Sequence, residues 1–94
     1  SIIVNQDDPR VIDLGEEFQG QKITFGIDHP ADVMAREIRI KGREGTSFIL
    51  ILEGEETEVR LPLLGKHFVH NALSAIAAAS LFGVEPERTI EALE

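Results

Sequence analysis

The residues whose chemistry suits ligand binding lie in two stretches of the chain. In the first, Asp7 and Asp8 follow a short apolar run, and a carboxylate pair at the exit of a strand can bind a metal ion or a ribose. Asp-Pro is equally typical of a turn that ends a strand, and Pro9 follows here. On the residues alone, both interpretations of this pair stay open.

The second stretch is Gly65-Lys66-His67, which precedes a helical pattern. A glycine and a cation before a helix offer free backbone N–H groups and a positive charge to an anion, although such pairs are common. His67 and His70 are spaced i, i+3 in the first turn, which suits a metal or phosphate site and also an ordinary polar helix start. No third ligand lies nearby in sequence, so we predict no metal site.

Asn71 lies inside the same helical pattern. Asn is a poor helix former, and its amide donates and accepts hydrogen bonds at once. Such an amide can form hydrogen bonds to the edge of an adenine. The same properties equally fit a residue that faces solvent near a frayed helix end. The sequence contains no Ser-His-Asp or Cys-His arrangement and no complete phosphate loop, so we predict no catalytic residue in the chain.

Composition excludes several classes of partner and site. The chain has 94 residues, 17 of them acidic and 9 basic, and its formal net charge is −8. This balance argues against nucleic-acid and membrane partners, because both require a cationic face. The absence of Cys excludes disulfides and thiolate metal sites. No apolar run approaches the 18 residues of a membrane-spanning helix.

Strands and one long helix must position the candidate residues. Apolar runs and alternation predict five strands, at Ile2–Val4, Lys22–Gly26, Val33–Lys41, Thr46–Glu53 and Thr57–Leu63. The last three are separated by glycine turns, which predicts an antiparallel meander with Thr46–Glu53 in its centre. Val59, Leu61 and Leu63 should share its core face, and Pro62 favours an edge or a strand end. The segment from Arg10 to Gly20 favours a weak helix or a loop.

Helical spacing begins after Gly65. From His67 to Phe82, one face carries the residues at i, i+4, i+7, i+8 and i+11, which are Val69, Leu73, Ile76, Ala77 and Ser80. Gly83 suits the end of this helix, and Pro86 suits the start of another. Because the chain begins inside a strand and stops inside a helical pattern, we expect it to be a piece of a larger protein.

Several segments together resemble one family, the Mur ligases. Residues Leu61–Ala79 are similar to the family's segment L-P-L-x-G-[RK]-H-N-x-x-N-A-L-A-A-x-A-x-A, and Val4–Pro9 is similar to its V-N-x-D-D strand exit. The order F-G, A-D-V-x-A, G-x-x-F between these segments also resembles the family. The G-K-H start favours the MurF type, which adds D-alanyl-D-alanine to a UDP-N-acetylmuramoyl-tripeptide. The alternatives are the MurE type and the folylpolyglutamate or cyanophycin types.

The resemblance implies a cytoplasmic, three-domain ligase of cell-wall synthesis that uses ATP and Mg²⁺. Its partners would be the UDP-linked muramoyl peptide, D-alanyl-D-alanine and the rest of the parent chain. Residues 1–94 would form part of the central ATP-binding domain: 1–30 the end of a parallel sheet, 31–64 the antiparallel meander and 65–94 a helical segment. The expected fold is thus an α+β fragment of an α/β, P-loop-type domain.

The resemblance also implies roles for site residues. In the family, the Asn that matches Asn71 contacts adenine, and the segment around His67, which includes Lys66, lines the nucleotide pocket. Asn5, Asp7 and Asp8 match a strand exit near the same site. The family's usual first Asn is replaced by Phe68, so the role of that amide is lost or moved.

The family's catalytic apparatus is missing from these residues. They lack the phosphate loop, the Mg²⁺-binding Glu and His, the modified Lys and the C-terminal domain. The resemblance therefore implies that the chain alone is inactive and holds neither ATP nor Mg²⁺ tightly. A different class of function also remains open, in which the chain is a self-standing α+β interaction domain with no enzyme parent.

Overall fold

The computed structural model describes residues 2–11 and 19–94. The predicted weak helix or loop from Arg10 to Gly20 therefore lies largely outside the described residues. The strands are β1 (Ile2–Asn5), β2 (Lys22–Gly26), β3 (Val33–Ile40), β4 (Thr46–Leu52) and β5 (Glu55–Leu61). The helices are α1 (Lys66–Leu81) and α2 (Pro86–Leu93), and a 3₁₀ turn spans Gly42–Glu44. None of the described helices is long and apolar enough to cross a membrane.

The five strands form one mixed sheet in the order β1-β2-β3-β4-β5. β2 pairs parallel with both β1 and β3, whereas β4 pairs antiparallel with both β3 and β5. The predicted combination of short parallel strands with a three-stranded meander is confirmed. Since β1 and β2 run in the same direction, with Asn5 opposite Phe25, their carboxyl ends meet at one edge of the sheet.

Helix α1 packs on one face of this sheet and closes the core. Its buried residues are Val69, Ala72, Leu73, Ile76 and Ala77, which include four of the five residues predicted for its inner face. The strands contribute alternate residues, because side chains in a strand point to opposite faces in turn. In β4 and β5, the apolar residues that point into the core are Phe48, Leu50, Val59 and Leu61.

Two residues depart from the predicted core. Leu63 was expected beside Val59 and Leu61, but it is 49% exposed. The reason is that β5 ends at Leu61, and Pro62, which has no N–H, cannot continue the ladder. Ser80 is half-buried on α1, and its hydroxyl oxygen is enclosed without a hydrogen-bond partner in the described part of the chain.

Glycines set the ends of several elements. Gly83 ends α1 with a φ of 79°, where its N–H donates to the carbonyl of Ser80 and the N–H of Val84 donates to that of Ala79. This is the Schellman pattern, which confirms the predicted helix end. In the β4–β5 hairpin, Glu53 and Gly54 have φ values of 53° and 81°, and a two-residue I′ turn requires both to be positive.

Candidate functional site

The first turns of α1 approach the edge where β1 and β2 end. The N–H of Gln6 still bonds to the carbonyl of Phe25, 2.8 Å away, so the two chains leave the sheet side by side. Asp7 follows β1, His29 follows β2, and His70 reaches the same place from α1. In parallel sheets this edge is where ligands are commonly bound.

Asp7 is the centre of this arrangement. Its Oδ2 accepts hydrogen bonds from the N–H of Ile27 (2.6 Å) and from Nε2 of His70 (2.7 Å). Its Oδ1 accepts from the N–H of Asp28 (3.0 Å), the N–H of His29 (3.1 Å) and Nδ1 of His29 (3.0 Å). The side chain is 8% exposed. We call Asp7, His29, His70 and the backbone N–H groups of residues 27–29 the Asp7 cluster.

The electrostatics of the cluster keep Asp7 ionised. Burial raises the pKa of its carboxyl, because a charged group loses solvation. The hydrogen bonds from His70, Ile27, His29 and Asp28 oppose this effect and outweigh it, so the pKa lies well below its usual range. An ionised carboxylate has about four lone-pair positions, and five donors converge on them here.

Asn5 and Asp8 shape the turn that follows β1. The side-chain oxygen of Asn5 accepts the N–H of Asp7 at 2.9 Å. The carboxylate of Asp8 is paired with Arg10, whose Nε and terminal nitrogen donate at 2.9 and 2.8 Å and whose backbone N–H also donates at 2.9 Å. The side-chain hydrogen bond from Arg10 lowers the pKa of Asp8.

The start of α1 presents a polar, exposed surface. His67 and Asn71 are spaced i, i+4 and are both exposed, so they share one face, which we call the His67–Asn71 face. Within the described residues, the amide of Asn71 makes no hydrogen bond. Lys66 lies beside it with Nζ at 3.4 Å from Oδ2 of Asp28. Phe68 packs against the core, and its ring lies 4.0 Å, centroid to centroid, from that of His67.

Comparison with known proteins identifies the family. The model of the Mur ligase middle domain matches residues 1–79. The chain belongs to the Mur ligase family. The crystal structure of MurF from Acinetobacter baumannii superposes with a TM-score of 0.86 and 34% identity over 98% of this chain and 20% of that one.

Curated relatives include more than one type of Mur ligase. The UDP-N-acetylmuramoyl-L-alanyl-D-glutamate–2,6-diaminopimelate ligase of Halalkalibacterium halodurans is 38% identical over 98% of this chain and 19% of its own. The UDP-N-acetylmuramate–L-alanine ligase of Chlorobium chlorochromatii is 44% identical over 76% of this chain and 15% of its own. The chain thus spans about a fifth or less of the length of the Mur ligases that it matches.

Within this family's fold, the structure brings most of the predicted residues to one edge. Asn5 and Asp7 lie at the strand exit, and the Asp7–His70 contact joins that exit to the helix that carries Lys66, His67 and Asn71. Asp8 lies in the same turn, but its carboxylate is paired with Arg10 and not with the cluster. Whether these residues bind a nucleotide stays a prediction.

Sequence reasoning missed His29 and Asp28, and it gave His70 no partner. Asp28 and His29 directly follow β2. Had β2 been placed parallel to β1, both would have been expected beside Asp7. The H-x-x-H spacing held no such signal, because positions i and i+3 are neighbours on one side of a helix and do not show which of the two faces the sheet.

The described residues fit the base of a nucleotide better than they fit Mg²⁺. No group of three or more His, Asp or Glu side chains in the described part of the chain is arranged to hold a metal ion. The oxygens of Asp7 face N–H donors, and those of Asp8 face Arg10. The His67–Asn71 face, in contrast, offers an unpaired amide that can donate to and accept from an adenine edge.

Proposed function

We propose that this chain is part of the central ATP-binding domain of an ATP-dependent Mur ligase. The parent enzyme would add D-alanyl-D-alanine to a UDP-N-acetylmuramoyl-tripeptide in cytoplasmic peptidoglycan synthesis. Within that domain, residues 1–30 supply the end of the parallel sheet, 31–64 the meander and 65–94 the helical segment. The proposal rests on the His67–Asn71 face. The Asp7 cluster holds this face at the edge of the sheet where β1 and β2 end.

Each residue at this edge has a proposed part in nucleotide binding. Asn71 reads the adenine edge, and His67 lines the pocket beside it. Lys66 adds a positive charge at the start of α1, where backbone N–H groups also favour anions. Asn5, Asp7 and Asp8 shape the strand exit below. When bound, ATP supplies the phosphoryl group that activates the substrate's carboxylate.

Mg²⁺ would be held by other parts of the ligase, since no group of three or more His, Asp or Glu side chains among the described residues is arranged to hold it. Positioned charges around the phosphates supply most of the catalysis in phosphoryl transfer. The chain alone lacks a phosphate loop, so we propose that it is inactive by itself and binds ATP weakly.

The amide of Asn71 can be tested by titrating the isotopically labelled chain with ADP in the absence of metal. We expect weak binding, with NMR shifts concentrated in residues 66–72. Asn71→Ala should weaken binding about fivefold, because it removes the hydrogen bonds to the base. Glu91→Ala, an exposed change on α2, serves as the control and should leave the affinity unchanged. Shifts that avoid the start of α1 would contradict the proposal.

The type of ligase can be decided with the full-length enzyme that contains this segment. We expect phosphate release with UDP-N-acetylmuramoyl-tripeptide, ATP and D-alanyl-D-alanine, because we propose the MurF type. Phosphate release with UDP-N-acetylmuramoyl-L-alanyl-D-glutamate and diaminopimelate would instead identify the MurE type. These two compounds appear in the name of the Halalkalibacterium halodurans relative. The blank for each reaction omits its acceptor, which is D-alanyl-D-alanine in the first and diaminopimelate in the second.

A further inference from the structure

We propose that His70 and His29 are positioning residues, held by Asp7 in opposite tautomers, and that they set the His67–Asn71 face against the sheet edge. The part of this proposal that concerns nucleotide affinity rests on the proposed function. The part that concerns the tautomers rests on the Asp7 cluster alone.

His70 is the link between α1 and the strand exits. Its Nε2 lies 2.7 Å from Oδ2 of Asp7, a residue 63 positions earlier in the chain. The ring is 25% exposed and meets the ring of Phe25 edge-on, with centroids 6.5 Å apart. His70 directly precedes Asn71 and lies three residues after His67. A helix is rigid over one or two turns. Holding His70 in place therefore also fixes the direction in which the His67–Asn71 face points.

His29 fixes the loop after β2 to the same carboxylate. Both its N–H and its Nδ1 donate to Oδ1 of Asp7. Its neighbour Asp28 faces Lys66 of α1, which gives the loop a second contact with the helix. A side chain at position 26 would crowd the cluster, since a β-carbon on Gly26 would lie 3.2 Å from Oδ1 of Asp7 and 3.1 Å from the carbonyl oxygen of His29.

The chemistry of the carboxylate determines the tautomers. An ionised carboxylate only accepts hydrogen bonds, so the ring nitrogen that faces it must carry a proton. The facing nitrogen is Nε2 in His70 and Nδ1 in His29. When both rings are neutral, their protons therefore lie on opposite nitrogens. A neutral imidazole on a flexible exposed side chain is under no such constraint.

The tautomers can be measured by ¹⁵N NMR of histidine-labelled chain at a pH where the rings are neutral. We expect the shifts of His70 to show a protonated Nε2 and those of His29 a protonated Nδ1. His67, whose ring has no carboxylate beside it in the described residues, is the internal reference. If His70 and His29 show the same tautomer, or the averaged shifts of a free imidazole, the proposal is wrong.

Variants test whether the cluster positions the nucleotide face. His70→Ala should weaken ADP binding several-fold, and His70→Gln, whose amide can still donate to Asp7, should restore most of it. His29→Ala keeps the backbone N–H contact and should have a smaller effect. ADP binding by His70→Ala that equals that of the wild type would overturn the positioning role and leave the proposed function intact.

The two proposals can fail separately. If the wild type has the expected tautomers but ADP causes no shifts in α1, the proposed function fails while the cluster stands. If His70→Ala does not fold, the tautomers of the wild type and the affinity of His70→Gln still decide the question. A His70→Gln variant that melts like the wild type but binds ADP as poorly as Asn71→Ala or worse would also contradict the proposal.

Discussion

Replacing Asp7 with asparagine should lower the free energy of unfolding by about 3 to 5 kcal/mol, because it removes hydrogen bonds to a charged group that contribute about 1.5 to 3 kcal/mol each and leaves donors unmatched. The carboxylate accepts five hydrogen bonds, and the asparagine amide offers one oxygen and turns an NH₂ group toward N–H donors. Unmatched donors of this kind are costly in a site that is shielded from water. Urea denaturation at neutral pH measures the loss.

Asp8→Asn is the matched control, because it makes the same chemical change one residue later. Asp8 pairs with the exposed side chain of Arg10, and exposed pairs contribute little to stability. We expect a much smaller effect from this variant. Equal losses for the two variants would mean that the Asp7 cluster has no special part in stability.

The advantage of the wild type over Asp7→Asn should also depend on pH. The pKa of Asp7 is lowered in the folded chain, chiefly by hydrogen bonds that outweigh its burial. Its contribution is therefore fully present above the unfolded pKa of about 3.9 and is lost as the pH falls through the folded value. Denaturation curves of both proteins should converge as the pH falls below about 4.

Gly45→Ala should destabilise the chain by about 3 to 5 kcal/mol, because it combines backbone strain with a main-chain overlap. Gly45 has a φ of 85°, a conformation that L residues rarely adopt. It is buried where β4 begins, and an added β-carbon would overlap the carbonyl oxygen of Leu61. Main-chain atoms in a paired strand cannot rotate away as the end of a side chain can. Thermal or urea denaturation measures the effect.

Gly54→Ala is the control for a positive φ without an overlap. Gly54 has a nearly equal φ of 81°, but a β-carbon there would have no neighbour within 4 Å. We expect it to cost about 1 kcal/mol, from backbone strain alone. The difference between the two variants then contains the overlap together with the further strain at Gly45, whose ψ of −147° lies in a region that essentially only glycine adopts. Equal effects would show that the approach of Gly45 to Leu61 has little influence on stability.

Much of the fold could be predicted because its signals are local. The continuous apolar run at 48–52 in β4 and the apolar spacing of Val69 and Leu73 in α1 each depend on a few neighbouring residues. Gly83 marked the helix end in the same way. The misplacement of Leu63 came from extending such a pattern past Pro62, where the ladder stops.

The candidate site was less predictable because its contacts are distant in sequence. Asp7, Asn71 and His67 were singled out by residue type and by resemblance, but no local pattern joins Asp7 to His70. The role of His29 depends on β2 lying parallel to β1, and strand direction is not encoded in the composition of either strand. A site assembled from three separate elements therefore becomes visible only when their packing is known.

The mixed sheet has a consequence for the order of folding. In the meander, Leu52 pairs with Glu55 across a two-residue turn, whereas Ile2 must find Lys22 in a parallel strand. Short chain closures cost less entropy and occur sooner than long ones. The antiparallel half is thus expected to form early, and the contact between Asp7 and His70 late. Slow steps in refolding should then report on the parallel edge, so we expect the end of the molecule that carries the Asp7 cluster to form last.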